Sequence, residues 1–149
     1  MKNNEIINRY NILSAIQLVN GNDVLSSPLK VKIISERIKS GKLVDGIKSD
    51  IQKFVEGLID DNIKELANKQ DKTEEDIKKL VELEKDLQEQ QRMYIYNREQ
   101  EEAVDFSEFY FTEDEYYEIV NVNSKDVVIN GNEVKLADFL EYLYKEFVK

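Results

Sequence analysis

Apolar side chains over residues 4–19 recur at intervals of three and four: Ile6, Ile7, Tyr10, Leu13, Ile16 and Val19. This spacing lines one face of a helix and predicts one there. Asn3 or Asn4 is placed to cap it, and Asn20-Gly21 to end it. After a polar loop, Ser27-Pro28 reads as a cap followed by a first-turn proline. Helical spacing then continues to residue 68, first through Val31, Ile34 and Ile38, then through Val44, Ile47, Ile51, Phe54, Leu58 and Leu66. Gly41 and Gly46 interrupt it, each costing a helix about 1 kcal/mol relative to alanine. One long bent helix is expected. The alternatives are a break near Ser40-Gly41, or small residues that admit a neighbouring helix.

Residues 68–72 form a polar turn. Thr73-Glu74-Glu75-Asp76 then has a capping hydroxyl, an acid three residues later, and three acids at the positive end of the helix dipole. The helix it opens is expected to reach residue 102, with Ile77, Leu80, Leu83, Leu87 and Tyr94 as a narrow seam close to coiled-coil spacing. Gln90 and Gln91 stand where a heptad wants leucine. The short turn implies that the two long helices pack as an antiparallel hairpin.

Beyond residue 103 the pattern changes. Residues 116–122 are compatible with an extended segment, and residues 125–129 read as a strand. Asn130-Gly131 is the favoured two-residue hairpin turn, and residues 133–136 return as the partner strand. Residues 138–148 close as a helix with Phe139, Leu140, Leu143, Tyr144 and Phe147 on its apolar side. A lone two-stranded hairpin is marginal, so it must lean on the helices. The expected fold is mainly α: an antiparallel long-helix hairpin plus an N-terminal helix, with a small C-terminal β-hairpin and a final helix. One domain over residues 1–149 is expected, with a helical core at 1–103 and an acidic, aromatic tail at 104–149.

Composition narrows the chemistry. Hydrophobic residues at 41% permit a core, and charged residues at 35% demand a very polar surface. There is no cysteine and no histidine. Disulfides, thiol nucleophiles, imidazole-based triads and the common zinc sites are therefore excluded. Only Asp, Glu, Lys, Tyr and hydroxyls remain for acid–base work, each needing a strong pKa shift near pH 7. The five glycines form no phosphate-cradling loop. Residues 121–132 are rich in side-chain oxygens, but Asp126 stands where a calcium loop needs its turn glycine and Asn132 where it needs its final Glu. Glu113-Asp114-Glu115 and Asp60-Asp61 read as helix starts or solvated faces in preference to metal sites. The expectation is a non-enzymatic protein with no cofactor and no metal. The opening residues lack a secretory pattern and no window is apolar enough for a membrane span, so a cytoplasmic location is expected.

Charge is uneven. The net charge is −10; residues 1–72 hold twelve basic against ten acidic side chains, and residues 73–149 hold nine against twenty-one. An acidic half of this kind repels phosphates, so neither direct nucleic-acid binding nor anionic membrane binding is expected. Residues 99–118 carry nine carboxylates and no Lys or Arg. Asp105, Phe106, Glu108, Phe109, Tyr110, Phe111, Glu113, Asp114, Glu115, Tyr116 and Tyr117 in this stretch are the candidate partner-binding residues. Aromatic anchors among carboxylates suit a protein partner with a basic surface, the rings filling pockets and the charges steering encounter. The competing reading is that these rings dock a loop and the last helix onto the helical core. The basic residues Lys30, Lys32, Arg37, Lys39, Lys42, Lys48 and Lys53 read as a solvated face. A helical hairpin often completes its apolar stripe against a second copy, so a homo-oligomer is also considered.

The order Ser27-Pro28-Leu29-Lys30-Val31, a helical hairpin, then Tyr96-Asn97-Arg98-Glu99 leading into Val104-Asp105-Phe106 resembles short uncharacterised proteins encoded by bacteriophages. The resemblance implies a phage or prophage source, hence a host-cytoplasm or virion location, and brings no functional residues. Three functions remain in order of expectation. The first is a non-enzymatic interaction protein with a structural or assembly role. The second is an acidic mimic of nucleic acid that inhibits a DNA-binding or defence protein, and the last a carboxylate- or metal-dependent enzyme.

Overall fold

A computed structural model describes residues 1–104 and 106–149. The chain is mainly helical, with six helices and two small antiparallel hairpins among the described residues. In order these are α1 (Asn3–Ser14), β1 (Val19–Asn20), β2 (Asp23–Val24), α2 (Ser27–Leu58), α3 (Asp61–Asn68), α4 (Glu74–Gln100), α5 (Glu113–Val122), β3 (Val127–Ile129), β4 (Asn132–Val134) and α6 (Leu136–Phe147). Among the described residues, no helix is long and apolar enough to cross a membrane. The chain divides into two compact units, one made of Met1–Val44 with Glu102–Lys149 and the other of Asp45–Glu101. The dividing points therefore lie inside α2 and just past α4, and the acidic tail belongs with the N-terminal residues.

In the first unit, α1, the start of α2, α5 and α6 share one core: Leu13, Ile16, Leu25, Leu29, Ile33, Phe111, Ile119, Phe139, Leu143 and Phe147 are buried together. The first helix stops earlier than its apolar spacing suggests, at Ser14. The Arg37 guanidinium from α2 donates to the carbonyls of Leu13 (3.0 and 2.8 Å) and Ile16 (2.6 Å), satisfying acceptors that a continuing helix would have used. Asn20-Gly21 is then not a helix stop. Gly21 has φ +62° and turns the chain between β1 and β2, with Asn20 facing Asp23. The second hairpin matches expectation: Asn130 (φ 53°) and Gly131 (φ 75°) both take the left-handed values of a tight turn, and Ile129 pairs with Asn132.

Three further expectations need correction. Residues 116–122 are helical, within α5. Thr112 accepts from the Glu115 N–H at 3.2 Å, and the Glu115 carboxylate accepts from the Thr112 N–H at 2.9 Å, a reciprocal cap that starts a helix where the tyrosines suggest a strand. The long second helix ends at Leu58, because the Asp60 carboxylate accepts from the Ile63 N–H at 2.9 Å and starts α3. The buried face of α2 in the first unit is Leu29, Ile33, Glu36, Ser40 and Val44, while Val31, Ile34 and Ile38 are exposed. The two stripes have similar spacing, and polar Glu36 and Ser40 disguise the one that the core uses. The helix itself runs without interruption through Gly41 and Gly46. Gly41 is there for space: a Cβ built on it would lie 3.3 Å from the Tyr10 ring of α1.

In the second unit the C-terminal part of α2 runs antiparallel to α4. Phe54 stacks on Tyr94 with centroids 3.9 Å apart, and Asp50 pairs with Arg98 at 3.1 Å. The α4 start follows its sequence signature, with Thr73 and Asp76 capping each other at 3.1 and 3.0 Å. Leu80, Leu83, Leu87 and Tyr94 are half-buried, whereas Ile77 lies outside this seam.

Two stability predictions follow from these contacts. A Cβ at Gly46 meets nothing within 4 Å, so Gly46→Ala should raise unfolding stability by about 1 kcal/mol through helix propensity alone. Gly41→Leu should lower it by about 1–3 kcal/mol through crowding of Tyr10; chemical denaturation of both variants checks the opposite signs. Separately, the hydrogen bond from Lys69, aided by the Thr73 N–H, holds Asp76 down from its ordinary 3.8 to about 2. A depressed carboxylate stabilises the folded state above its unfolded value. This contribution should therefore be present above about pH 4 and lost as pH falls towards 2. The stability gap between wild type and Asp76→Asn, followed by acid titration of helicity, should close over that interval.

Candidate functional site

All the candidate residues fall in the first unit except Asp105, which lies outside the described residues. They separate into two groups with different surroundings. Residues 109–111 run alongside the end of α6. The Phe111 N–H donates to the Phe147 carbonyl at 2.7 Å, and Phe109, Phe111 and Phe147 form a ring cluster with centroids 4.9 to 6.2 Å apart. Phe111 is fully buried, and Phe106, Phe109 and Tyr110 are half-buried. The docking role weighed for these rings is thus what Phe109 and Phe111 do.

The cations that meet this segment come from the N-terminal helices and from the C-terminal residue Lys149, whose Nζ lies 4.3 Å from the Tyr110 centroid. Lys32 lies 5.3 Å from the Phe109 centroid and pairs with Glu115 at 2.7 Å. Lys39 lies 4.9 Å from the Phe106 centroid and donates to the Ser107 carbonyl at 3.2 Å. Arg9 is buried on the apolar face of α1, with its guanidinium 4.1 Å from the Phe147 centroid and 5.4 Å from that of Tyr110. It donates to the carbonyls of Glu146 and Phe109. Burial pushes the Arg9 guanidinium below its ordinary value, partly offset by Tyr110 and Glu146. Of the residues read as a solvated basic face, Lys32 and Lys39 are engaged in this way, while Arg37 binds the carbonyls at the end of α1. The sequence signal for Arg9 was its position between Ile6 and Leu13 on one stripe, where an unpartnered charge would be costly.

The second group is more open. Thr112 positions the first turn of α5, so that Glu113 and Asp114 stand exposed at its N-terminus. Tyr116 is half-buried; its ring meets those of Tyr117 (5.7 Å) and Tyr144 (5.0 Å), and its hydroxyl donates to the Leu140 carbonyl at 3.0 Å. Tyr117 and Tyr144 are 57% and 41% exposed. The Tyr144 hydroxyl reaches Glu113 at 3.3 Å, and the nearby Glu113 charge raises the phenol above its ordinary value. Glu115 is drawn inward. Burial pushes it up, yet the bonds from Lys32 and the Thr112 N–H outweigh this and hold it below the carboxylate range. Glu108 is exposed and accepts from the Tyr110 hydroxyl, which lowers the carboxyl and raises the phenol.

No protein-family model, curated protein or solved structure matches the chain.

Elsewhere in the first unit, an open groove of about 400 Å³ runs between α1, the second hairpin and α6. Ile12, Ile129 and Val134 line it together with the amides of Asn8, Asn11, Asn130 and Asn132. Asn11 and Asn130 bond each other across it at 2.8 Å. Asp126, from the oxygen-rich stretch, accepts from the Leu136 N–H at 2.9 Å and pairs with Lys135 at 3.4 Å, which fixes the start of α6. Among the described residues, no group of three or more carboxylates is gathered to hold a metal ion.

Arg9 gives this region its clearest test. Arg9→Ala leaves two carbonyls without their charged donor and removes a ring contact. It should destabilise the fold by about 2–4 kcal/mol, measured by chemical denaturation. Arg9→Lys should recover little of the loss, because its three donors sit on one nitrogen where Arg9 reaches the two carbonyls from separate nitrogens.

Proposed function

We propose that the chain acts by binding a protein with a basic surface, and that α5 and α6 present the contact. The observation that carries this reading is the cluster of Tyr116, Tyr117 and Tyr144 beside Glu113 and Asp114. Two of its rings are exposed, at 57% and 41%, although each sits on a helix anchored in the core. Exposed tyrosines on rigid elements bring large contact area at little entropic cost, and they are enriched among the residues that dominate binding energy. The carboxylates at their edge would speed encounter with a cationic surface and set its orientation. Phe109 and Phe111 support this face from beneath and do not touch the partner.

Capture experiments with the full chain as bait in lysate of the source cell test the reading. Wild type should retain a specific protein whose binding weakens with added salt. Tyr117→Ala combined with Asp114→Lys should reduce capture about tenfold or more, equivalent to about 1.4 kcal/mol, without loss of helicity. Equal capture by the variant, or a retained protein indifferent to both salt and substitution, would remove the case for this face.

A further inference from the structure

The exposed stripe on the first part of α2 carries chemistry opposite to that of the tyrosine face. Val31, Ile34 and Ile38 recur at helical spacing and are 62%, 42% and 57% exposed, on the side of the helix away from buried Leu29 and Ile33. Residues 24–44 hold five basic side chains and one acid, and that acid, Glu36, is buried. Within this stretch no acid faces solvent. Lys32 is engaged by Glu115, Arg37 by the carbonyls that end α1, and Lys39 by the Ser107 carbonyl. Lys30 and Lys42 flank the stripe and, among the described residues, make no ion pair.

Residues 99–118 are the counterpart, with nine carboxylates and no Lys or Arg. The two stretches already recognise each other within one chain. Lys32 pairs with Glu115 and lies 5.3 Å from the Phe109 centroid, and Lys39 lies 4.9 Å from that of Phe106. Each of these contacts sets a lysine of α2 against a carboxylate or a ring of the acidic stretch. The same kinds of group are left facing outward on both sides. On α2 they are Lys30 and Lys42 with the branched apolar stripe; on α5 and α6 they are Glu113 and Asp114 with Tyr117 and Tyr144. A cationic, apolar face suits an acidic, aromatic one, since lysines answer the carboxylates while the rings cover the apolar side chains. One chain carries both halves.

We infer that the basic surface met by the tyrosine face is the α2 stripe of a second copy of this chain. The inference rests on the reading of the tyrosine face proposed above and gives it a partner. Because the contact joins two unlike faces, it closes into a ring or runs on as a chain of copies. Few residues stand on either side, so the interface is small and the association weak.

Sedimentation of the full chain at low salt, over about 10 µM to about 1 mM, reads the association directly. The average mass of wild type should rise with concentration above 17.5 kDa and fall back when salt is added. Lys30→Glu with Lys42→Glu, and separately Glu113→Lys with Asp114→Lys, should each weaken association about tenfold, because each variant sets like charges face to face. Mixed in equal amounts the two variants should associate as wild type does. The reversed face of one then meets the reversed face of the other, and their unaltered faces also match. Ile38→Asp and Tyr117→Ala, both at exposed positions, should each weaken association with helicity intact by circular dichroism, which keeps the test available if a charge variant does not fold. A wild type that stays monomeric throughout would overturn the inference, while salt-sensitive capture of a different protein by the tyrosine face would leave that face's own reading standing. A mixture no better than its components would overturn it too. Association indifferent to Tyr117→Ala and to the exchange at Glu113 and Asp114 would remove the tyrosine face along with it.

Discussion

The guanidinium of Arg9 connects three parts of the chain that are far apart in sequence. It comes from α1, donates to a carbonyl at the end of α6 and to another in the segment before α5, and lies against the rings of Phe147 and Tyr110. A buried cation of this kind is tolerated only where its donors find acceptors, and here backbone carbonyls supply them. Because those acceptors belong to the backbone, they set the position of whole segments and not only of side chains. It thereby ties α1 to the end of α6 and to the segment that leads into α5. Arg37 does similar work at the other end of α1, where it ends the helix and allows the chain to turn into the first hairpin.

The uneven charge along the sequence looks different once the first unit is assembled. Residues 99–118 contain no cation, yet their rings and carboxylates meet Arg9, Lys32 and Lys39 from the N-terminal helices. A part of the negative half is therefore answered inside the molecule. Among the described residues of this stretch, Glu101 and Glu102 are exposed but paired with Arg98 and the N-terminal amine, which leaves Glu108, Glu113 and Asp114 facing outward with the open tyrosines. The proposed contact is the remainder of an internal complementarity, and this is why it lies on α5 and α6 and not along the whole acidic stretch.

Legibility depended on how local the determining interaction was. The long-helix pair, the Asn130-Gly131 hairpin and the final helix were readable because their caps, turns and apolar spacing are local. The same Thr-acid-acid-acid signature opens both α4 and α5, but at Thr112 the adjacent tyrosines and their strand preference masked it. The start of α3 at Asp60 was masked in the same way by continuing apolar spacing. The register of the first part of α2 was not readable, since two stripes compete there and only the tertiary partners choose between them, whereas Val44, Ile47, Ile51, Phe54 and Leu58 lie on the inward side as their spacing suggests. The sites of Arg9 and Arg37 are similarly non-local: a charge on an apolar stripe announces that something must answer it, but not which carbonyl does.

The way the two units share the chain bears on how the protein is made. The first unit is assembled from the two ends of the sequence, with Asp45–Glu101 inserted between them. On a ribosome, α1 and the start of α2 emerge early and must wait for Phe139, Leu143 and Phe147 before their core exists. The widest contacts of the first unit span more chain than those of the inserted helices, 137 residues between Arg9 and Glu146 against 48 between Asp50 and Arg98. Closure of the first unit is therefore long-range, and such contacts are intrinsically slow to form. The bonds from Arg9 to the carbonyls of Phe109 and Glu146 are among the contacts that join its two stretches of chain.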